Sequence, residues 1–331
     1  MARGILDRLA DGPVLGDGGY LLELEKRGYV QAGPFTPEVV IEHPDALAQL
    51  HREFLRAGAE VLQTMTFYAS DDKLATVGLA GKVDEINRTA VRVAREVASE
   101  ADALVAGNLS LTWAYLPEDP SSPDHVRELF DRQLKDQLDA GPPDLWIGET
   151  FSYLGEALLF VERAKATGLP VMVTMSFEQP VPLSYEGDTP AECARRLRDG
   201  GADIVGVNCL NGPEQQLPIA LEMRSAVGGF VAAQPVAYHT SSEQPDFTST
   251  PSFPYALDPL QLSRQEMATF ARQAQAGGID YIGSCCGSVQ AHVRAMGKAI
   301  GKAPEAEREW RSTAGRAMSA YEYHEHTETE V

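Results

Sequence analysis

The sequence predicts an α/β fold, a (β/α)8 TIM barrel forming a single domain. Two observations carry that expectation. Short apolar runs alternate with longer helical patterns eight times within about 300 residues, and repeated strand-then-helix units point to a parallel sheet covered by helices. The residues able to do chemistry fall near the carboxyl ends of the short runs, where a barrel gathers its reactive groups. A doubly wound sheet is the alternative, and it too would collect them on one edge.

The first strand reads as Pro13 to Gly16, ending at Asp17 and turning at Gly18 and Gly19. An Asp before two glycines is also ordinary turn chemistry. Thr36 is placed to cap a helix with Pro37 in its first turn, and Pro44 should end that helix near His43. A helix over Asp45–Arg56 stops at Gly58, and Glu60–Thr64 forms the second strand. Helix Val83–Ser99 leads to strand Ala103–Asn108; helix Asp124–Leu138 leads to strand Leu145–Glu149. Helix Leu154–Thr167 precedes strand Pro170–Ser176, and helix Pro190–Leu197 precedes the strand from Asp203 to Asn208, with Cys209 at its end. Helix Glu214–Ala226 precedes strand Gly229–Gln234. A long loop from Tyr238 to Pro259, rich in Ser, Thr and Pro, has the length of a functional or disordered segment. Helix Ser263–Ala276, strand Tyr281–Gly283 and helix Val289–Ile300 complete the eight units. Asp17, Gln63, Thr64, Asn108, Glu149, Cys209, Gln234, Cys285 and Cys286 all lie near strand ends in this reading. Residues 302–331 are polar and read as a frayed extension of a domain spanning 1–301; His324 and His326 there read as solvated.

A net charge of −20 opposes binding to nucleic acid or to an anionic membrane surface, both of which call for basic groups. No apolar run reaches the ~20 residues of a membrane span, and Met1–Asp7 lacks the apolar core of a signal peptide. Four cysteines in a chain this long suit a reducing compartment, and a cytoplasmic location is expected.

Two of those cysteines are adjacent, in Gly283-Ser284-Cys285-Cys286-Gly287, and a third closes Gly206-Val207-Asn208-Cys209. Neighbouring cysteines seldom bridge each other, because disulfide geometry is demanding. Three thiolates with one open position would make a catalytic zinc site. Buried structural thiols are the competing reading.

These segments, with Asp17-Gly18-Gly19, resemble the zinc-dependent homocysteine S-methyltransferase family over roughly residues 12–300. Leu24–Val30, Gln63–Ser70 and Gln234–Thr240 are most similar to its betaine-using members. The resemblance implies Zn2+ held by Cys209, Cys285 and Cys286, with Asp17 and Glu149 on the homocysteine amino group. It also implies Gly18 and Thr64 near the homocysteine carboxylate, and Tyr68 among rings around an onium methyl donor. The expected reaction is methyl transfer from a sulfonium or betaine to the homocysteine thiolate, giving methionine. A non-catalytic zinc- or thiol-binding protein on the same barrel is the alternative, and it would need neither Asp17 nor Glu149.

Two positions depart from the betaine pattern. Phe35 stands where those members carry Trp, and Thr150 where they carry Tyr. Cation–π attraction is weaker for Phe, and Thr has no ring. Trp113, Tyr115, Phe151 and Tyr153 are the rings available to compensate. The chain also lacks the long carboxyl-terminal extension of the betaine-using members, which leaves a homo-oligomer an open expectation.

Overall fold

A computed structural model describes residues 3–31, 33, 36–178 and 180–302. Phe35, His324, His326 and the extension beyond residue 302 lie outside the described residues. The strands are β1 (Val14–Leu15), β2 (Val61–Gln63), β3 (Leu104–Ser110), β4 (Leu145–Phe151), β5 (Val171–Met175), β6 (Ile204–Asn208), β7 (Phe230–Gln234) and β8 (Tyr281–Ile282). All pair in parallel in the order β1-β8-β7-β6-β5-β4-β3-β2. Register runs from Val14 opposite Tyr281 round to Gln63 opposite Ala106. β1 and β2 are joined differently. A single backbone bond, Glu60 N to Leu15 O at 2.9 Å, crosses between them, and carboxylates do the rest. Leu15 N donates to Glu60 Oε2 at 3.0 Å, and Gln63 N donates to Asp17 Oδ2 at 2.8 Å. The sheet is thus a barrel with one seam closed largely by side chains.

The α-helices among the described residues are α1 (Ile5–Asp11), α2 (Leu21–Lys26), α3 (Val39–Glu42), α4 (Pro44–Ala57), α5 (Asp71–Ala75), α6 (Val83–Ala98), α7 (Ser122–Ala140), α8 (Leu154–Lys165), α9 (Pro190–Asp199), α10 (Pro213–Ala226), α11 (Arg264–Ala276) and α12 (Gln290–Ala299). Their caps follow from sequence. Gly58 ends α4 in the left-handed conformation at φ 106, and Ser263 with Glu266 makes a capping box on α11. The expected start at Thr36 shifts to Val39. Thr36 Oγ1 donates to the Glu38 carboxylate at 2.7 Å instead of accepting from an amide. Helices α1, α2 and α5 are additions to the sequence reading, each seven residues or shorter.

Two apolar clusters hold the barrel. The larger lies between strands and helices. A smaller one, including Val61, Ala106, Ile147 and Met172, fills the barrel interior, with Ile5 and Leu9 of α1 joining it. Side chains alternate along a strand, so the residue two positions on points the same way. That rule carries Val61 to Gln63, Ala106 to Asn108, Ile147 to Glu149 and Met172 to Thr174. The apolar interior therefore ends in a polar layer, which is the floor of the site.

Candidate active site

The polar floor is one hydrogen-bonded chain. Asp17 accepts from Gln63 N at 2.8 Å and Gln63 Nε2 at 3.2 Å, and also from the Tyr20 hydroxyl. Gln63 Oε1 accepts from Asn108 Nδ2 at 2.9 Å, which also donates to Glu149 Oε1 at 2.6 Å. Glu149 Oε2 accepts from Asn208 Nδ2 at 3.1 Å. Asn208 cannot turn round, because its Oδ1 accepts from Thr150 N at 2.8 Å and Thr174 Oγ1 at 2.7 Å. Both carboxylates therefore face only donors, an environment suited to anions. Burial works against this and pushes Asp17 up to about 6 and Glu149 to about 7. A buried carboxylate pair with donors but no cation is short of one positive partner.

Glu149 was expected to end its strand, but β4 continues to Phe151. The ladder slips between Gly148 and Phe151, and Thr150 takes a positive φ of 66. A β-branched residue there is strained, and Asn208 holds it through both amide atoms: Thr150 N donates to Oδ1 and Nδ2 donates to Thr150 Oγ1 at 2.8 Å. The irregularity offers a reason why Glu149 projects into the floor while the strand carries on.

Above the floor sit the thiols. Cys209 follows β6, and Cys285 and Cys286 follow β8, with β7 between them. Their sulfurs all lie within 4.8 Å of one another, and Cys209 Sγ is 3.8 Å from Cys286 Sγ. Cys209 has φ 56, so the chain turns sharply as it leaves the strand. This group could hold a metal ion. Cys193 is elsewhere, buried in α9 beside the Asp188 carbonyl. Gly19 admits the thiol loop to β1's turn: a Cβ there would lie 2.7 Å from the Cys285 carbonyl oxygen. Backbone has little room to yield, so Gly19→Ala is expected to displace Cys285 and weaken metal retention about tenfold or more, an effect of the kind seen when a ligand's support is lost. Equilibrium titration with a metal chelator checks it.

Gly18, Thr64, Tyr68, Glu149 and the three thiols line a single cavity at this mouth. The Thr64 hydroxyl is already engaged, accepting from Asn108 N at 2.8 Å and lying 2.9 Å from Thr66 Oγ1. The sequence reading missed Tyr20, Phe67 and Phe247 as lining residues. Of the four compensating rings, Phe151 packs against Phe130 and Phe160 in the core, and Tyr115 and Tyr153 meet edge-to-face. Trp113 alone reaches Tyr68, its indole N–H donating to the Tyr68 hydroxyl at 2.9 Å. Lys73 Nζ lies 4.6 Å from the centroid of Tyr68 and 4.7 Å from that of Trp113, within cation–π range.

Fold and site together define a (β/α)8 protein with a thiol cluster and two cation-seeking carboxylates at its carboxyl-terminal mouth. The model of the homocysteine S-methyltransferase family matches residues 14–300, and the chain belongs to that family. Betaine–homocysteine S-methyltransferase 1 of Danio rerio is 47% identical over 311 residues, covering 90% of this chain and 76% of the relative. S-methylmethionine–homocysteine S-methyltransferase of Pongo abelii is 42% identical over 314 residues, covering 92% and 82%. The metallated form of the homocysteine methyltransferase MmuM from Escherichia coli shares the fold, with a TM-score of 0.71 at 22% identity over 88% of this chain and 98% of that one. Among the described residues, no helix is long and apolar enough to cross a membrane.

Proposed function

We propose that this chain transfers a methyl group from an onium donor to the sulfur of homocysteine, giving methionine, with zinc held by Cys209, Cys285 and Cys286. The observation that carries the reading is the meeting of three thiols and the Glu149 carboxylate on one cavity, with the buried Asp17 carboxylate joined to Glu149 through Gln63 and Asn108. The donor set fits the metal. Tetrahedral Zn–S bonds of ~2.3 Å put sulfurs about 3.8 Å apart, the separation of Cys209 and Cys286. When bound, zinc supplies a homocysteine sulfur that is a thiolate at neutral pH.

The chain's own residues handle the rest of the substrate. Asp17 and Glu149 receive the ammonium group, with Gly18 and Thr64 beside the carboxylate. Tyr68 presents its ring to the onium head. The sulfur forms a bond to the methyl carbon as the carbon–heteroatom bond breaks, and the departing nitrogen or sulfur keeps the electron pair and loses its charge. No side chain has to move a proton at carbon. Holding donor and acceptor in line supplies much of the acceleration. Residues 1–301 constitute the homocysteine-binding barrel and 302–331 an extension to it. The two carboxylates support this reading over a passive zinc store, which needs neither. Metal analysis paired with a methionine-formation assay tests it; zinc retained without turnover on any donor would leave the store.

For the donor, we expect a sulfonium to be used at least as well as glycine betaine. Thr150 contributes no ring, and Lys73 already occupies faces of Tyr68 and Trp113. Each cation–π contact is worth roughly 0.5–2 kcal/mol, so weakened walls cost betaine roughly one to two decades of affinity. The check is kcat/KM for S-methylmethionine, dimethylsulfoniopropionate and glycine betaine with homocysteine saturating. A strong preference for glycine betaine would refute the expectation. Thr150→Tyr with Phe35→Trp should move preference toward betaine.

A further inference from the structure

We infer that Tyr20 and His51 form a positioning relay that sets the Asp17 carboxylate for an amino group, and so help the site distinguish amino-bearing thiols from those without. The inference rests on the proposed pairing of Asp17 with the homocysteine ammonium. Tyr20 immediately precedes α2, and its ring stands edge-on to His51 and Phe54 of α4, with centroids 5.0 and 5.2 Å away. Its hydroxyl contacts Asp17 Oδ2 on one side and lies 3.0 Å from His51 Nδ1 on the other.

Counting protons fixes the direction of the chain. An ionised carboxylate only accepts, so the Tyr20 proton goes to Asp17. The Tyr20 oxygen must then accept from His51, which places the ring proton on Nδ1. His51 stays neutral, because burial pushes it down to about 3. The other ring nitrogen, Nε2, is buried without a hydrogen-bond partner among the described residues. An unpaired buried acceptor is destabilising, and an apolar residue in α4 would avoid it. The cost is consistent with a task for Nδ1–H, and its only hydrogen-bond partner here is the oxygen that holds Asp17.

The relay also decides which Asp17 oxygen is available. Oδ2 accepts from both Gln63 N and Tyr20, which fills its two lone-pair positions. Oδ1 accepts only the longer 3.2 Å bond from Gln63 Nε2. An incoming ammonium therefore docks on Oδ1, while Oδ2 is anchored from behind. Without Tyr20 the carboxylate keeps only its two Gln63 donors, one on each oxygen, and the lone pair opened on Oδ2 competes with Oδ1 for the ammonium.

The test uses the full-length, zinc-loaded protein and two ligands, homocysteine and 4-mercaptobutanoate, which is homocysteine without its amino group. Tyr20→Phe is expected to raise the Kd for homocysteine about tenfold, equivalent to about 1.4 kcal/mol, while leaving that for 4-mercaptobutanoate within about twofold. In turnover the loss should fall on KM for homocysteine and not on kcat. His51→Leu should act in the same direction, and His51→Asn, which restores an N–H near the Nδ1 position, should recover most of the selectivity. Equal weakening of both thiols, or no change in homocysteine affinity, overturns the relay. Asp17→Asn separates the two ideas. If it collapses the selectivity while Tyr20→Phe and His51→Leu do not, only the relay is wrong. If Asp17→Asn leaves the selectivity intact, the ammonium assignment fails and the relay with it.

Discussion

Alanine at Cys209, Cys285 or Cys286 is expected to strip zinc and reduce methionine formation by more than about a hundredfold, since even losing a ligand's supporting contact costs 10–100-fold. A site of three protein ligands has none to spare. The geometry makes substitution by a neighbour improbable: the cluster is fixed by two strand ends separated by β7, and Cys193 lies in a helix on the barrel's outside. Burial pushes the Cys193 thiol up to about 12, so it stays protonated, and Cys193→Ser should keep both metal and activity. Metal content by elemental analysis alongside turnover decides the matter. Full occupancy and turnover in any one alanine variant would remove that cysteine from the ligand set.

Glu149→Gln and Asp17→Asn are each expected to weaken homocysteine binding by about 1.5–3 kcal/mol, the range for a charge-assisted hydrogen bond, with a smaller effect on zinc. Asn at position 17 keeps an acceptor for Gln63 N, so the variant mainly removes charge. pH adds a second signature. Only the ionised carboxylates attract an ammonium, so homocysteine affinity should fall as pH drops through about 7 at Glu149 and then about 6 at Asp17. In the free protein the same shifts act on stability with the opposite sign. Both folded values lie above the unfolded ones, so the fold favours the protonated carboxyls. That contribution is fully present below the unfolded values of 3.8 and 4.5, and it is lost as pH rises through about 6 and about 7. Calorimetric titration with homocysteine across this range, with Glu149→Gln for comparison, should show a shallower acid limb in the variant. Unchanged affinity in both variants would defeat the assignment.

What the sequence revealed was local. Gly58 and Pro44 mark boundaries through backbone chemistry that needs no tertiary partner, and the structure places the elements accordingly. The cysteines were legible because each closes an apolar run. Contacts between distant segments were not. Nothing in the run Asp203–Cys209 says that Asn208 will clamp Thr150 in a left-handed turn across the barrel mouth. Helix α2 has no capping side chain and no long apolar period, and its six residues carry no sequence signal of a helix. Lys73 carries no signal in the sequence; the structure brings the rings of Tyr68 and Trp113, both at positive φ, to its ammonium group. His51 shows the same limit: on the helical pattern of α4 it is simply one more inward-facing position.

The side-chain closure between β1 and β2 gives the barrel a built-in reporter. Elsewhere around the ring, strands are laced by ladders, whose amides exchange with deuterium only when several bonds break together. At this one joint the Gln63 amide is held by the Asp17 carboxylate, the group proposed to meet the substrate. Its protection against exchange therefore follows the charge and occupancy of Asp17 more than the breathing of a strand pair. A bound ammonium keeps Asp17 ionised and the joint shut; a proton on Asp17 loosens it. Deuterium uptake at Gln63 would then read ligand occupancy in the absence of any methyl donor, and would register events in the pocket as local opening of the barrel wall.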